Sequence, residues 1–222
     1  LPESIGNLKC LKFLNCTRCV KLTTLPESIG NCTMLQKIVL SDCESFRALP
    51  STIGNLTYLN AIEFGANTTS GCNAILSLPE TLSQCQQLFD LDFTKCKFLK
   101  SLPTQMGCLE HLTDLNLREC KKLTDLPVSI GNCTQLRELS LSKCCGLSTL
   151  PKSLINLNRL TSLNLSKCTG FFDGEQVLNV LCKLPLLQVL NMKGCKNINT
   201  LTDLTEGMFP SLIHWDLCSM KN

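Results

Sequence analysis

The nonapeptide LTDLNLREC at residues 112–120 decides how this chain is read, because it recurs. In the form L-x-x-L-x-L-x-x-C it returns as LQKIVLSDC from Leu35, LFDLDFTKC from Leu88, LRELSLSKC from Leu136, LTSLNLSKC from Leu160 and LQVLNMKGC from Leu187. LKFLNCTRC from Leu11 has Cys16 at its third apolar place, while LNAIEFGAN from Leu59 and LIHWDLCSM from Leu212 keep the apolar frame but end in Asn67 and Met220. The nine leading leucines fall at 11, 35, 59, 88, 112, 136, 160, 187 and 212, so most steps are 24 residues. A Leu-Pro phrase keeps time with them at Leu1, Leu25, Leu49, Leu78, Leu102, Leu126 and Leu150, often followed by Ser-Ile-Gly-Asn or a close variant. A period this regular means stacked units, each burying its apolar face against the next.

The centre of the motif alternates apolar and polar, which predicts a short strand in each copy with the motif leucines inward. Proline lacks a donor and glycine breaks an element, so the Leu-Pro-x-Ser-Ile-Gly segment predicts a turn and a short helical or 3₁₀ stretch on the opposite face. Equivalent strands stack in parallel, roughly 4.8 Å apart, so eight steps span about 38 Å. The motif resembles the leucine-rich repeat family, whose signature is L-x-x-L-x-L-x-x-N/C-x-L, over essentially the whole chain. That resemblance implies an α/β leucine-rich repeat solenoid of about nine repeats. Its parallel sheet would line the concave face of a curved horseshoe, with turns, 3₁₀ or short α-helices on the convex face. Residues 1–222 read as one domain. Leu1 starts inside a repeat and neither end has an obvious polar cap, which favours an excised piece lacking both terminal caps.

Two places break the rhythm. Between Asn67 and Leu78 the period slips by five residues, in a Thr, Ser, Gly and Asn-rich stretch that reads as an exposed loop. It is either a tolerated bulge on the rim or part of a binding surface. After Cys168 the chain is richer in helix formers, predicting a fuller helix over 174–183 with Asp173 as N-cap, and another before Leu212.

Seventeen cysteines in a short secreted chain would suggest a disulfide scaffold. Here Cys19, Cys43, Cys96, Cys120, Cys144, Cys168 and Cys195 all hold the ninth place of the motif, a structural ladder. Cys32, Cys85 and Cys133 share a slot that other copies fill with leucine, and Cys16 also replaces an apolar residue. These eleven read as small buried hydrophobes, and so many free thiols favour a reducing cytosolic or nuclear setting. With 21 basic and 18 acidic residues the net charge of +3 gives no bulk attraction to nucleic acid or membrane, and no apolar run reaches spanning length.

Catalysis finds little support. His111 and His214 lie four repeats apart, about 19 Å along the stack. No P-loop, G-x-S-x-G or dinucleotide fingerprint is present. Cys16 and Cys19 spell C-x-x-C, but both are read as inward-facing and have no second pair, so no metal or cofactor is expected. The Asn-x-Thr triplets at Asn31, Asn55 and Asn132 come from the internal repeat and are read as structural.

The residues free to act point outward from the strands, at the third, fifth, seventh and eighth places. They gather an acidic cluster of Glu63, Asp90, Asp92, Asp114 and Glu138 on the middle repeats. Arg118, Lys143 and Lys167 lie beside it, and Phe13, Lys37, Asn116, Asn164, Lys193 and His214 complete the candidate partner-binding set. A concave face with acidic centre and basic edge suits a protein or peptide of complementary pattern. The alternative is the ordinary polar face of a solvated sheet.

The fuller phrase, as in LREC-KKLTDLP at 117–127 and LSKC-CGLSTLP at 141–151, resembles plant intracellular nucleotide-binding, leucine-rich-repeat disease-resistance proteins. Leu-Pro after each motif and cysteine in the ladder carry the likeness. It implies a non-enzymatic module that senses a pathogen product or modified host protein, or contacts other domains of its parent. A Ras-associated type of cytosolic scaffold and a microbial effector docking region are the other classes open.

Overall fold

The computed structural model describes residues 1–65, 71–171, 173–195 and 209–217. Three residues of each motif form a strand: β1 Phe13–Asn15, β2 Lys37–Val39, β3 Ala61–Glu63, β4 Asp90–Asp92, β5 Asp114–Asn116, β6 Glu138–Ser140, β7 Ser162–Asn164, β8 Val189–Asn191 and β9 His214–Asp216. These pair in chain order as one parallel sheet, each motif place facing its equivalent: Leu91 opposite Leu115, Leu115 opposite Leu139. The central residue of β2 through β8 is buried, because alternation sends it into the stack while its neighbours face outward.

Across the stack lie 3₁₀ turns such as Glu27–Asn31, Ser51–Asn55 and Val128–Asn132. Proline fixes the entry, with φ near −66° at Pro50 and an extended ψ of 155°, and its missing N–H falls where no partner is needed. The expected fuller helix is present as α1, Gly174–Leu181. Asp173 caps it, Oδ1 accepting from the Gln176 N–H at 2.9 Å, and Val177, Leu178, Val180 and Leu181 are buried. The helix expected before Leu212 falls largely outside the described residues.

Two files of thiols tie the coils together. In the first, the Sγ–H groups of Cys43, Cys144, Cys168 and Cys195 each donate at 3.0 Å to the third apolar carbonyl of the preceding coil, those of Cys16, Leu117, Leu141 and Leu165. In the second, Cys32, Cys85 and Cys133 donate to Ile5, Ile53 and Met106 at 3.1–3.3 Å. Cysteine suits these slots because it packs as a small hydrophobe yet offers a donor to a carbonyl that no strand partner reaches. Burial pushes the thiols of Cys85 and Cys133 up to about 12 and that of Cys195 up to about 11, so they remain protonated donors at neutral pH.

The ladder departs from the sequence reading at two positions. Cys19 is exposed, not interior. In the third coil the ladder place belongs to Cys72 rather than Asn67, which lies outside the described residues. Cys72 Sγ donates to the Leu40 carbonyl at 2.9 Å and is fully buried. The residue before each ladder cysteine sits in the left-handed region, Lys95 at φ 63°, Lys143 at 61° and Lys167 at 58°; Gly71, at 71°, takes that place before Cys72. The five extra residues thus enter between strand and ladder. Cys16 is buried and Cys19 is not, so the C-x-x-C pair does not share one inward environment.

A thiol reagent reads this arrangement directly. In native protein Cys10, Cys19, Cys108 and Cys145 are expected to label quickly, whereas the eleven buried cysteines should wait for unfolding. Rapid native labelling of Cys120 and Cys144 would contradict the packing.

Candidate functional site

The sheet register turns scattered acidic residues into a surface. Asp90 stands opposite Asp114 and Asp114 opposite Glu138, giving one row of third-place carboxylates across β4, β5 and β6. Glu63 stands opposite Asp92 in the fifth-place row beside it. These five side chains, with Asn116, Ser140, Ser162 and Asn164, line a groove of about 480 Å³ on the sheet face. Neighbouring strands in such a sheet are roughly 4.8 Å apart, so three like charges repeat at that interval.

Among the described residues one ion pair reaches the groove, Lys37 Nζ against Glu63 Oε1 at 2.5 Å. Burial pushes the Asp90 carboxyl above its ordinary range, and Asp114, Glu63 and Asp92 add repulsion that Lys37 opposes. The folded chain therefore holds this proton more tightly than the unfolded chain does. Ionised Asp90 costs stability at neutral pH, and the cost fades as pH falls through the raised value. Like charges directly opposed cost roughly 0.2–1 kcal/mol. Asp90→Asn is accordingly expected to raise Tm by about 1–4 °C at neutral pH. The gain should shrink in acid; a loss of stability at neutral pH would contradict the repulsion.

The fifth-place residues have a second duty that the sequence alone did not reveal. Asp92 Oδ1 accepts from the Thr94 N–H at 2.8 Å, Asn116 Oδ1 from Arg118 at 3.1 Å and Asn164 Oδ1 from Ser166 at 3.0 Å. Each closes an Asx turn that leads the chain into the left-handed residue before the ladder. Asp92 thus keeps its second carboxylate oxygen for the groove, whereas Asn116 and Asn164 spend their one side-chain oxygen on the turn and leave the amide NH2 to the groove. The third-place carboxylates carry less of this burden, although Asp114 Oδ2 takes the Thr113 hydroxyl at 2.6 Å.

The other candidates disperse. Lys143 Nζ is bound to Glu119 at 2.7 Å, and that contact holds the Glu119 carboxyl below its usual range. Arg118 Nε also approaches Glu119, at 3.7 Å, so both cations turn from the groove to the strand ends. Lys167 and Lys193 are exposed on the same edge of later coils. Phe13 lies three strands before Asp90 and His214 three strands after Glu138, so neither joins the groove. Ser140 and Ser162, outward-facing at the fifth and third places, do line it. His111 is exposed, its Nδ1 3.0 Å from the Gln86 carbonyl.

A family model described as "Leucine-rich repeat region" matches residues 1–221. No curated protein matches the sequence significantly. Among solved structures, the leucine-rich repeat domain of the type III effector XopL superimposes with a TM-score of 0.63 at 18% identity, covering 95% of this chain and 79% of that one. Internalin C2 from Listeria monocytogenes gives 0.61 at 18% identity, with 98% and 84% covered. A chain of the Toll–Spatzle complex of Drosophila gives 0.59 at 20% identity, with 96% and 30% covered. At these identities the likeness is one of fold.

Proposed function

The chain belongs to the leucine-rich repeat family, and from that membership we propose that it is a protein-recognition module whose sheet face holds a cationic segment of a protein or peptide ligand. The observation that carries this is the register of Asp90, Asp114 and Glu138, a row of carboxylates facing one another along a groove of the sheet face. An arginine or lysine side chain laid along the row would meet two carboxylates at once, and relief of their repulsion would add to the attraction. Solenoids present an extended curved surface suited to such a partner.

The Leu-Pro phrase and the cysteine ladder support a narrower assignment. On that reading this is the sensor and autoregulatory region of an intracellular plant disease-resistance protein, working in the cytosol or nucleus. Its ligand is then a pathogen product, a modified host protein or another domain of the parent. Leucine-rich repeat families are typically interaction modules rather than enzymes, and a groove lined by five carboxylates suits holding a cationic ligand.

The binding claim is tested by titrating a fluorescent oligo-arginine peptide at low ionic strength. Saturable binding that weakens as salt rises is the expected result. Absence of binding, or binding indifferent to Asp90→Asn/Asp114→Asn, would remove the groove as the site. The narrower assignment is tested by the parent transcript: a nucleotide-binding domain encoded on the N-terminal side supports it, and its absence there overturns it.

A further inference from the structure

The segments running from each ladder cysteine towards the next Leu-Pro phrase form one flank of the solenoid, and in its middle coils that flank is basic. Lys97 and Lys100 follow Cys96; Lys121 and Lys122 follow Cys120. Backbone hydrogen bonds place them in adjoining layers: the Lys122 N–H donates to the Lys97 carbonyl at 3.1 Å and the Thr124 N–H to the Lys100 carbonyl at 3.4 Å. Arg118 joins them, since the Lys95 N–H donates to its carbonyl at 2.7 Å. Nearby carboxylates are already engaged. Glu119 binds Lys143 at 2.7 Å, and Asp125 accepts the Thr124 hydroxyl at 2.9 Å. Among the described residues no carboxylate pairs with the ammonium groups of Lys97, Lys100, Lys121 or Lys122. Within this positive field Phe98 is 48% exposed, and Leu76, whose carbonyl accepts from Lys100, is 50% exposed.

We propose that this flank is a second interaction surface, which takes a short acidic polypeptide segment with an apolar residue seated against Phe98. Four unmatched ammonium groups and an aromatic ring left half in water are a combination that a ligand of opposite charge and partly apolar character relieves together. The extent of the patch favours a short polypeptide over a long polyanion. The lysines occupy two adjoining coils, about 5 Å apart. Beyond them the flank continues through Cys145, Gly146 and Gly170 on one side; on the other it passes the uncharged Asn73 to Ser77 before Glu44 and Arg47, which bring one charge of each sign. The acidic groove on the adjoining face would also repel a nucleic acid wide enough to overhang the strand ends. This surface is distinct from the groove, carries the opposite charge, and does not depend on the cationic ligand.

The test uses an Asp/Glu-rich peptide carrying one phenylalanine, a matched peptide with serine in its place, and a single-stranded oligonucleotide of random sequence. The phenylalanine peptide should bind at low ionic strength, and Lys97→Glu/Lys122→Glu should weaken it at least tenfold. Phe98→Ser should weaken that peptide several-fold while leaving the serine peptide unchanged. Asp90→Asn/Asp114→Asn should leave both unaffected, which separates this surface from the groove. If the charge reversals disturb the fold by circular dichroism, Lys97→Gln/Lys122→Gln provides the reading, with several-fold weakening expected. No peptide binding, binding indifferent to these lysines, or tighter binding of the oligonucleotide through them would each overturn the proposal.

Discussion

Phe64→Ala is expected to lower stability by about 3–5 kcal/mol, the range for emptying a large buried aromatic site. For a chain of this size that is a fall in Tm of roughly 6–20 °C. Phe64 is fully buried at the third apolar place of the coil that carries the insertion. Its ring stacks on Phe93 of the next coil, centroids 5.1 Å apart and planes 21° apart, and meets Phe46 of the previous coil at 5.9 Å and 56°. It therefore bridges three layers where the repeat period is broken. A solenoid's stability is a sum of units and nearest-neighbour interfaces, so the largest damage comes where one residue serves two interfaces. Unfolding should also become less cooperative, with the coils before the insertion melting apart from those after it. Phe98→Ala provides the contrast: as an exposed ring it should change stability by no more than about 0.5 kcal/mol. A loss below about 1 kcal/mol in Phe64→Ala would show that the aromatic stack does not join these coils.

The second large effect concerns binding. Reversing two of the row's charges with Asp90→Lys/Asp114→Lys should reduce affinity for the oligo-arginine peptide on the order of 100-fold, from roughly 1.4 kcal/mol per reversed contact. Most of that change should vanish at high salt, since the groove is open to solvent and its field is screened. Glu63 should matter less than its position suggests, because Lys37 already neutralises it. Unchanged peptide affinity in the double variant would leave the acidic row as no more than a polar sheet face.

The leucine frame made most of the fold legible. Strictly spaced apolar places fix which side chains enter the stack, and all nine strands fall on motif positions three to five. The helix over Gly174–Leu181 was signalled by Asp173 followed by a run of helix formers. The third-place acids could be aligned across coils because parallel register pairs like with like. A fixed count ends the third motif at Asn67 and so passes over Cys72, which holds the ladder place beyond the insertion. The phrase Cys72-x-x-Ile75-x-x-Leu78-Pro79 repeats the spacing of Cys43-x-x-Phe46-x-x-Leu49-Pro50, and it was the available signal. The exposure of Cys19 was not legible either, because burial at a ladder place depends on packing against a neighbouring layer, which no motif position encodes. Nor could spacing show that one Asp92 carboxylate oxygen and the Asn116 amide oxygen are committed to turns, or that Lys143 pairs with Glu119 instead of reaching the groove. Those outcomes depend on the left-handed residue at the eighth place, which redirects the chain at the end of each strand.

The central claim, that the sheet-face carboxylate row is where a cationic ligand binds, is tested most directly by carbodiimide footprinting with and without the oligo-arginine peptide. Modification of Asp90, Asp114 and Glu138 should fall sharply in the complex, while Asp125 and Glu110, away from the groove, should label as before. Equal labelling of the row in both states, or protection confined to carboxylates outside it, would contradict the assignment.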